Sequence, residues 1–382
     1  MKRDKKKKLS SCIPVLSFFT GGGFLDIGFE RAGFYPVWTN EANPAFAKLY
    51  AYGMTRWRQS VYTQAPHATI SSTRSIEKLF APQIIKQAFF EDKPGFFGII
   101  GGPPCPDFSV GGKNKGGRGI SGRLSEIFVN RIIKIKPSFF VFENVPGLYK
   151  TMSHREFLSA LEQRLERHGY CLDLRILNAL DLGVPQDRKR LFMIGIQKEY
   201  AWKCLGREIP EQERNWFPWP NKKKYNNART RFNWPGIVLD GEEPILPEGL
   251  PAELTVYSVL NTENCPSKVQ NGKDTFKTYS DKFSLIKEGD TKRKSFKKLH
   301  RYRFSPTACY GNNEVHLHPW HKRRLSVREA MRIQGIPDSY ALPEEATLSS
   351  KFSVVSNGVP VPLAYEVANK LNHLFSQSGI IG

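Results

Sequence analysis

The stretch IPVLSFFTGGGFLDIGFERAGFYPVW, residues 13–38, decides the fold of this chain. An apolar run is followed by the glycine turn TGGG, a helical segment that closes at Gly33, and a second apolar run. This order predicts a strand, a helix that begins at Phe24 and a second strand. The glycine turn then places backbone N–H groups and a helix N-terminus at the carboxyl edge of a sheet, where nucleotide-like ligands bind.

The same order of strand and helix recurs further along the chain. The apolar run FFGII ends before Gly101, a helical segment covers 124–135, and the run SFFVF leads to Glu143. A helix over 156–168 and the run RLFMIGI over 190–196 are predicted to extend the same sheet. Buried strands that alternate with helices are typical of a parallel arrangement. We therefore predict an α/β fold with a mostly parallel, Rossmann-like sheet.

The composition favours a polyanionic partner. The 382 residues include 57 Lys and Arg against 36 Asp and Glu, a net charge of +21. Charge alone does not separate nucleic acid from an acidic membrane surface. However, no apolar run approaches the roughly 20 residues of a membrane helix, so we expect no membrane association. The 6 cysteines form no Cys-x-x-Cys pair, which predicts neither a metal site nor a disulfide framework and favours a reducing, cytoplasmic compartment.

Changes in composition predict the domain organisation. We expect a basic tail over 1–12, a catalytic domain over 13–199, a smaller irregular domain over 200–335, and a C-terminal segment over 336–382 that completes the catalytic domain. Between Cys265 and Arg303 the chain has 12 Lys and Arg against 4 Asp and Glu, with aromatic residues between them. Such a segment suits nucleic-acid binding, and a solvated irregular domain with a small aromatic core is the alternative.

Two further motifs carry chemistry. In GGPPCPDFS, Cys105 follows a buried strand, and the flanking prolines restrict the backbone and the direction of the thiol. In FENVPG, Glu143 ends the next strand of the predicted sheet and comes to the same edge. A thiol and a carboxyl that face one substrate suit a nucleophile paired with a proton donor. Glu41, at the end of the second strand, is placed to accept hydrogen bonds from ribose hydroxyls.

Taken together, the motifs resemble those of bacterial DNA (cytosine-5) methyltransferases of restriction-modification systems. The resemblance rests on SFFTGGGFLDIGFERAGF, GGPPCPDFS, FENVPGL and NALDLGVPQDRKRLFMIGI, and on two closing motifs, RRLSVREAMRIQGIPDSY and VSNGVPVPLAYEVA. It implies methyl transfer from S-adenosylmethionine to carbon 5 of a cytosine that is flipped out of double-stranded DNA. It also implies a monomeric enzyme, associated with the nucleoid through DNA, whose irregular domain recognises the target sequence.

The resemblance assigns roles to individual residues. Cys105 would attack carbon 6 of cytosine, while Glu143 would hydrogen-bond ring nitrogen 3 and the exocyclic amine. Arg188 and Arg190 would lie near the base and its backbone. The remaining residues implied at the substrate are Pro103, Pro104, Ser109, Asn144 and Gln186. Those implied at the cofactor are Phe19, Thr20, Gly21, Gly22, Gly23, Glu41, Asn357 and Val359.

The chain departs from the family pattern at three places. Pro106 stands where Gln is common after the nucleophile, and Ser17 stands where the first motif often has Asp. The Asp that usually contacts the adenine amine is absent near Ser75, so we assign no residue to that contact.

Two other functions fit the same fold. One is an RNA methyltransferase of the tRNA-methylating branch, although that branch has Cys-Phe-Thr after Glu-Asn-Val, where this chain has Pro146-Gly147-Leu148. The other is a catalytically silent DNA-binding regulator. The presence of Cys105 and Glu143 disfavours the second alternative.

Overall fold

A six-stranded sheet with strand order β2-β1-β3-β4-β6-β5 organises the chain. The computed structural model describes residues 12–63, 67–90, 92–104, 120–278, 281–293, 295–308, 310 and 314–381. The strands are β1 (Ile13–Phe18), β2 (Phe34–Asn40), β3 (Gly98–Gly101), β4 (Phe139–Asn144), β5 (Tyr170–Asn178) and β6 (Lys189–Gln197). β1 pairs in parallel with β2 and β3, and β3 with β4. β6 pairs antiparallel with β4 and β5.

The sequence prediction of an α/β fold with a mostly parallel sheet is confirmed. α1 begins at Phe24, as predicted, and the predicted strands over 13–19, 34–38, 96–100, 138–142 and 190–196 are present with small shifts of their bounds. The run over 190–196 enters the sheet antiparallel because β5, which we did not predict, precedes it as a hairpin partner. The polar residues Asp173 and Arg175 interrupt the apolar pattern of β5 and conceal it in the sequence.

Helices cover both faces of the sheet. They are α1 (Phe24–Arg31), α2 (Pro44–Val61), α3 (Ala81–Phe89), α4 (Ile120–Ile135), α5 (Gly147–Lys150), α6 (Met152–Arg167), α7 (Lys198–Leu205), α8 (Ala228–Arg231), α9 (Tyr257–Leu260), α10 (Val327–Ile333), α11 (Leu348–Asn357) and α12 (Val361–Gln377). On one face, α12 packs closely on α1, since a Cβ at Gly28 would lie 2.4 Å from that of Ala364. On the other face, α4 and α6 bury Phe128, Ile132 and Leu161. No helix among the described residues is long and apolar enough to cross a membrane.

The residues that follow β6 pack on the sheet. α7 follows β6 directly, and the side chains of Trp216, Phe217 and Trp219 belong to the apolar core of the sheet. A tryptophan-rich stretch without helical or strand periodicity can therefore still pack on a sheet. The domain boundary at residue 199 stays a prediction. Beyond Trp219, the described residues up to Leu325 contain short helices and turns and no strand of the main sheet.

The strand directions bring the motifs to one edge of the sheet. β1, β2, β3 and β4 run parallel and end at this edge, and β6, which runs the other way, begins there. This edge holds the glycine turn after β1, Glu41 after β2, Pro103 after β3, Glu143 near the end of β4 and Arg190 near the start of β6. This edge is the topological position at which α/β sheets bind ligands.

Candidate active site

The turn after β1 is built for close approach to the backbone. Phe19 and Gly21 both have φ near 55°, and Gly23 has φ 81°. A left-handed conformation at Phe19 is uncommon for a residue with a side chain and marks local strain of the kind found at functional sites. At Gly23 a Cβ would lie 2.7 Å from the sulfur of Met54, so only glycine fits. The N–H of Gly23 donates to the carbonyl of Thr20 at 2.8 Å, which closes the turn.

Glu41 is tied to this turn. Its Oε2 accepts a hydrogen bond from the backbone N–H of Gly21 at 2.9 Å, and its Oε1 accepts one from Asn43 at 2.8 Å. Burial raises the pKa of Glu41, and these two backbone hydrogen bonds act in the opposite direction. A carboxylate has about four acceptor positions, so the side chain retains capacity for two hydroxyl donors.

The turn also presents unused hydrogen-bonding capacity and open space. The Oγ1 of Thr20 is buried and has no hydrogen-bond partner among the described residues. An uncompensated buried hydroxyl is costly unless a ligand or water satisfies it. Apart from the two chain neighbours of Gly21, no atom of the described residues lies within 4 Å of the position that a Cβ of Gly21 would take. The turn therefore fits a nucleoside-type cofactor, with Thr20 and Glu41 as polar contacts.

The C-terminal segment reaches the same turn. α11 ends at Asn357, which is exposed, and Val359 is buried two residues later. Between them, a Cβ at Gly358 would lie 2.1 Å from the ring of Phe24, so this segment lies directly against the start of α1. The structure thus brings the two predicted C-terminal cofactor residues next to the glycine turn, although they are far from it in sequence.

Glu143 lies at the end of β4 in a buried, positively charged environment. The side chain is 12% exposed, and the Nε of Arg190 is 3.1 Å from its Oε1. Burial raises the pKa of Glu143, while Arg190 and then Arg188 lower it. The net shift is upward, which favours the protonated carboxylic acid relative to an exposed glutamate. Such a group is suited to donate a proton or a hydrogen bond to a ligand.

The end of β4 also holds the loop that leads to the predicted nucleophile. The side-chain amide of Asn144 donates to the carbonyl of Pro103 at 3.4 Å. Pro103 is buried, whereas Pro104 is exposed. Cys105 and Ser109 lie outside the described residues. Pro103 therefore lies beside Asn144, the residue that follows Glu143 in β4. The chain passes this point two residues before position 105.

Arg188 and Gln186 have different surroundings from those that the sequence suggested. Arg188 is fully buried, and its guanidinium donates to the carbonyls of Ala308 at 3.2 Å and Gly358 at 2.8 Å. It joins the end of the irregular segment to the C-terminal segment. Gln186 is also fully buried, and both side-chain amide atoms lack partners among the described residues. Roles for these two residues at the substrate remain predictions.

The sequence analysis missed two residues that shape the site. Gly102 lies against the carboxylate of Glu143, since a Cβ there would be 2.5 Å from Oε2. The doubled glycine after a buried strand was the available signal. Tyr340 donates its hydroxyl to the carbonyl of Gly22 at 2.8 Å. It lies within the quoted motif ending in PDSY, but no local pattern indicates a partner so distant in sequence.

Comparisons with known proteins agree with this geometry. Residues 13–373 match the family model of C-5 cytosine-specific DNA methylases. The Type II methyltransferase M.NmeDI of Neisseria meningitidis serogroup C is 39% identical, over 97% of this chain and 85% of that protein. The Type II methyltransferase M.FnuDI of Fusobacterium nucleatum is 30% identical, over 94% of this chain and 93% of that protein.

Solved structures share the fold. A prophage-encoded protein of E. coli, described as a DNA modification methyltransferase, has a TM-score of 0.65 and 22% identity, over 95% of this chain and 99% of that one. A DNMT2 mutant of Spodoptera frugiperda has a TM-score of 0.57 and 16% identity, over 95% of this chain and 99% of that one.

Proposed function

We propose a covalent route for methyl transfer, on the premise that the chain belongs to the C-5 cytosine-specific DNA methylase family. As a member of that family it is a DNA cytosine-5 methyltransferase that uses S-adenosylmethionine. The proposal concerns how its own residues carry out this reaction. Cys105 is the nucleophile and Glu143 the acid that assists it.

The cofactor site comprises the glycine turn and the C-terminal segment. Thr20 and Glu41 supply the polar contacts, and Phe19, Gly21, Gly22, Gly23, Asn357 and Val359 line the remainder. When bound, S-adenosylmethionine supplies an electrophilic methyl group. The support is the buried, unpartnered Oγ1 of Thr20 and the open space beside Gly21.

In the proposed reaction the thiolate of Cys105 forms a bond to carbon 6 of the cytosine. The ring electrons that this attack displaces make carbon 5 nucleophilic. Protonated Glu143 hydrogen-bonds ring nitrogen 3 and offsets the charge that develops there, an interaction stronger in the transition state than in the ground state. Carbon 5 takes the methyl group, and the donor leaves as the neutral thioether. Loss of the carbon 5 proton to water and expulsion of the Cys105 thiolate then restore the aromatic ring.

A single observation carries this assignment: Glu143 is buried at the sheet edge with a raised pKa, next to the backbone that leads to Cys105. Arg190 contacts Glu143 and fixes its orientation. The carbonyl of Pro103 accepts a hydrogen bond from Asn144. We propose that it also accepts one from the cytosine amine. Pro104 and Ser109 complete the proposed substrate loop. Arg188 acts as a support that binds the C-terminal segment.

DNA is the macromolecular partner, and the proposal extends to its duplex form. Chemistry at carbons 5 and 6 requires access to the ring face, so the target base leaves the helical stack. We propose that the recognition domain covers 200–335, most of which is irregular and basic, and that the catalytic domain covers 13–199 and is completed by 336–382. The enzyme acts as a monomer in the cytoplasm, on the DNA of the nucleoid.

The experiment that tests the proposal is a single-turnover methylation assay of Glu143→Gln on duplex DNA. Loss of the acidic proton, with shape retained, should slow methyl transfer by roughly 10² or more. Glu162→Gln is the matched control, because Glu162 is also paired with an arginine, Arg214 at 2.8 Å, but lies on α6 away from the sheet edge. The control should retain its rate. A wild-type rate for Glu143→Gln, or methylation of tRNA in place of DNA, would overturn the proposal.

A further inference from the structure

Tyr340 contacts the glycine turn from a part of the chain that the sequence analysis did not connect with the cofactor. Its side chain is fully buried, its hydroxyl donates to the carbonyl of Gly22 at 2.8 Å, and its ring packs edge-on against Phe24 at 5.2 Å. We propose that Tyr340 is a positioning residue, which holds the glycine turn in its cofactor-binding conformation before the cofactor arrives. This inference rests on the proposed function, since it assumes that the turn binds S-adenosylmethionine.

The hydrogen bond restrains one peptide unit from both sides. The carbonyl of Gly22 and the N–H of Gly23 belong to the same planar peptide group. Tyr340 binds the carbonyl, and the carbonyl of Thr20 accepts the N–H at 2.8 Å. Two residues before Gly23, the N–H of Gly21 donates to Glu41. The glycine turn is thus held at two of its peptide groups, although glycines by themselves leave a turn free to adopt many conformations.

Tyr340 is itself held in place. Its carbonyl accepts a hydrogen bond from the Nη2 of Arg328 at 2.7 Å, and its N–H donates to Pro337 at 3.0 Å. α2 provides room for the ring at Gly53, where a Cβ would lie 2.2 Å from the ring. Burial raises the pKa of the phenol, so it remains protonated and remains a donor. These contacts hold the ring in the orientation in which its hydroxyl donates to Gly22.

A restrained turn binds its ligand more tightly than a mobile one. Ordering a loop on binding costs free energy that a preorganised loop has already lost on folding. Removing the hydroxyl of Tyr340 also leaves the buried carbonyl of Gly22 without its partner, which is costly in both states. We therefore expect the loss to appear in cofactor affinity, while the steps at the cytosine are unaffected.

The test compares Tyr340→Phe with the wild type in two measurements. Calorimetry should show that the dissociation constant for S-adenosylmethionine rises about 5- to 10-fold, because the loosened turn must then be ordered on binding. Hydrogen exchange of the cofactor-free protein should be faster at residues 20–24 and unchanged in β4 and β6. In steady-state assays the KM for the cofactor should rise, with kcat at saturation and the KM for DNA unchanged.

Tyr62→Phe is the matched control. Its hydroxyl is also buried and donates to a side chain of α1, Glu30 at 3.1 Å, but at the opposite end of that helix from the glycine turn. This variant should bind the cofactor like the wild type. Unchanged affinity and exchange in Tyr340→Phe would overturn the inference, as would faster exchange throughout the sheet. If the wild type itself fails to bind the cofactor, the proposed function fails, and the exchange measurement alone decides the role of Tyr340.

Discussion

At the scale of single residues, Glu143 and Arg190 form a buried ion pair at the candidate site. A carboxyl group at the end of a buried strand is desolvated, which disfavours its charged form. Arg190, 3.1 Å away, partly restores that form. The balance leaves the pKa of Glu143 above its ordinary value. Glu143 is therefore protonated more readily than an exposed glutamate. The positive charge of Arg190 limits how far the pKa of Glu143 rises.

This balance predicts the pH dependence. If protonated Glu143 assists the attack, the single-turnover rate falls as pH rises through the pKa of this group. Arg190→Met removes a positive charge that favours the carboxylate, so the pKa of Glu143 rises further and the acid keeps its proton to higher pH. The alkaline limb of the pH–rate profile should then move to higher pH, even if the maximal rate is lower.

The measurement is the rate across a pH series, with Arg155→Met as control. Arg155 lies on α6, where its guanidinium contacts the carbonyl and ring of Tyr149. It should leave the profile unchanged. An alkaline limb that stays in place, or moves to lower pH, in Arg190→Met would contradict the acidic role of Glu143.

At the scale of elements, local patterns predicted the parts of the fold that depend on local interactions. The glycine turn and α1 follow from neighbouring residues, and the structure confirms both. β5 was missed because its partner strand decides its structure, and Asp173 accepts the N–H of Phe217, which lies far away in sequence. The tryptophan run near Phe217 gave no local signal of its packing on the sheet for the same reason.

The basic loop near residues 290–298 is the element for which charge carries the argument. Lys292 is exposed, and Lys297 and Lys298 are half-buried. The loop is anchored by its backbone, since the N–H of Lys298 donates to Asp290 at 2.9 Å and the carbonyl of Lys297 accepts from Leu317 at 2.8 Å. Replacing the lysine side chains by glutamine therefore removes charge and leaves these anchors intact. Lys294, which belongs to the same predicted basic group, lies outside the described residues.

We predict that the triple variant Lys292→Gln, Lys297→Gln, Lys298→Gln binds all duplex sequences more weakly. The slope of log affinity against log salt should flatten by about 0.9 for each DNA phosphate that the loop no longer neutralises. Titrations over a salt series measure this slope.

The matched control replaces Lys134, Lys198 and Lys203 by glutamine. These exposed lysines lie on α4 and α7, near the edge of the sheet opposite the site. The control should retain the wild-type slope. Equal slopes in both triple variants would exclude the loop from the DNA interface.

At the scale of the whole molecule, the irregular segment meets the sheet at the edge that holds Glu143 and Arg190. Ser305 forms a bridge with Gln186, and its carbonyl accepts the N–H of Asp187 at 2.9 Å. Thr307 donates its hydroxyl to the carbonyl of Asp187 at 2.6 Å. The irregular segment is thus joined near its end to the backbone just before β6, the strand that carries Arg190.

Such long-range contacts limit what the sequence could reveal. The candidate residues of the site were proposed from motifs, because strand ends and glycine turns have local signatures. The hydrogen bonds that support these residues could not be predicted in this way. Arg188 and Tyr340 donate to carbonyls that are 170 and 318 residues away. No periodicity or spacing encodes a contact to a backbone carbonyl. The fold and the chemistry could therefore be predicted, while the positioning contacts required the structure.

The central claim is that Cys105 attacks carbon 6 of a cytosine in duplex DNA. A duplex in which 5-fluorocytosine replaces the target cytosine tests it most directly. Fluorine takes the place of the carbon 5 hydrogen that must leave as a proton, so the covalent adduct persists. With S-adenosylmethionine, the wild type should form a protein–DNA complex that survives denaturing electrophoresis. Cys105→Ser should form none, while it still binds DNA, because a hydroxyl is a poor nucleophile at neutral pH. A denaturation-resistant complex with Cys105→Ser, or none with a wild type that methylates ordinary duplex, would contradict the account.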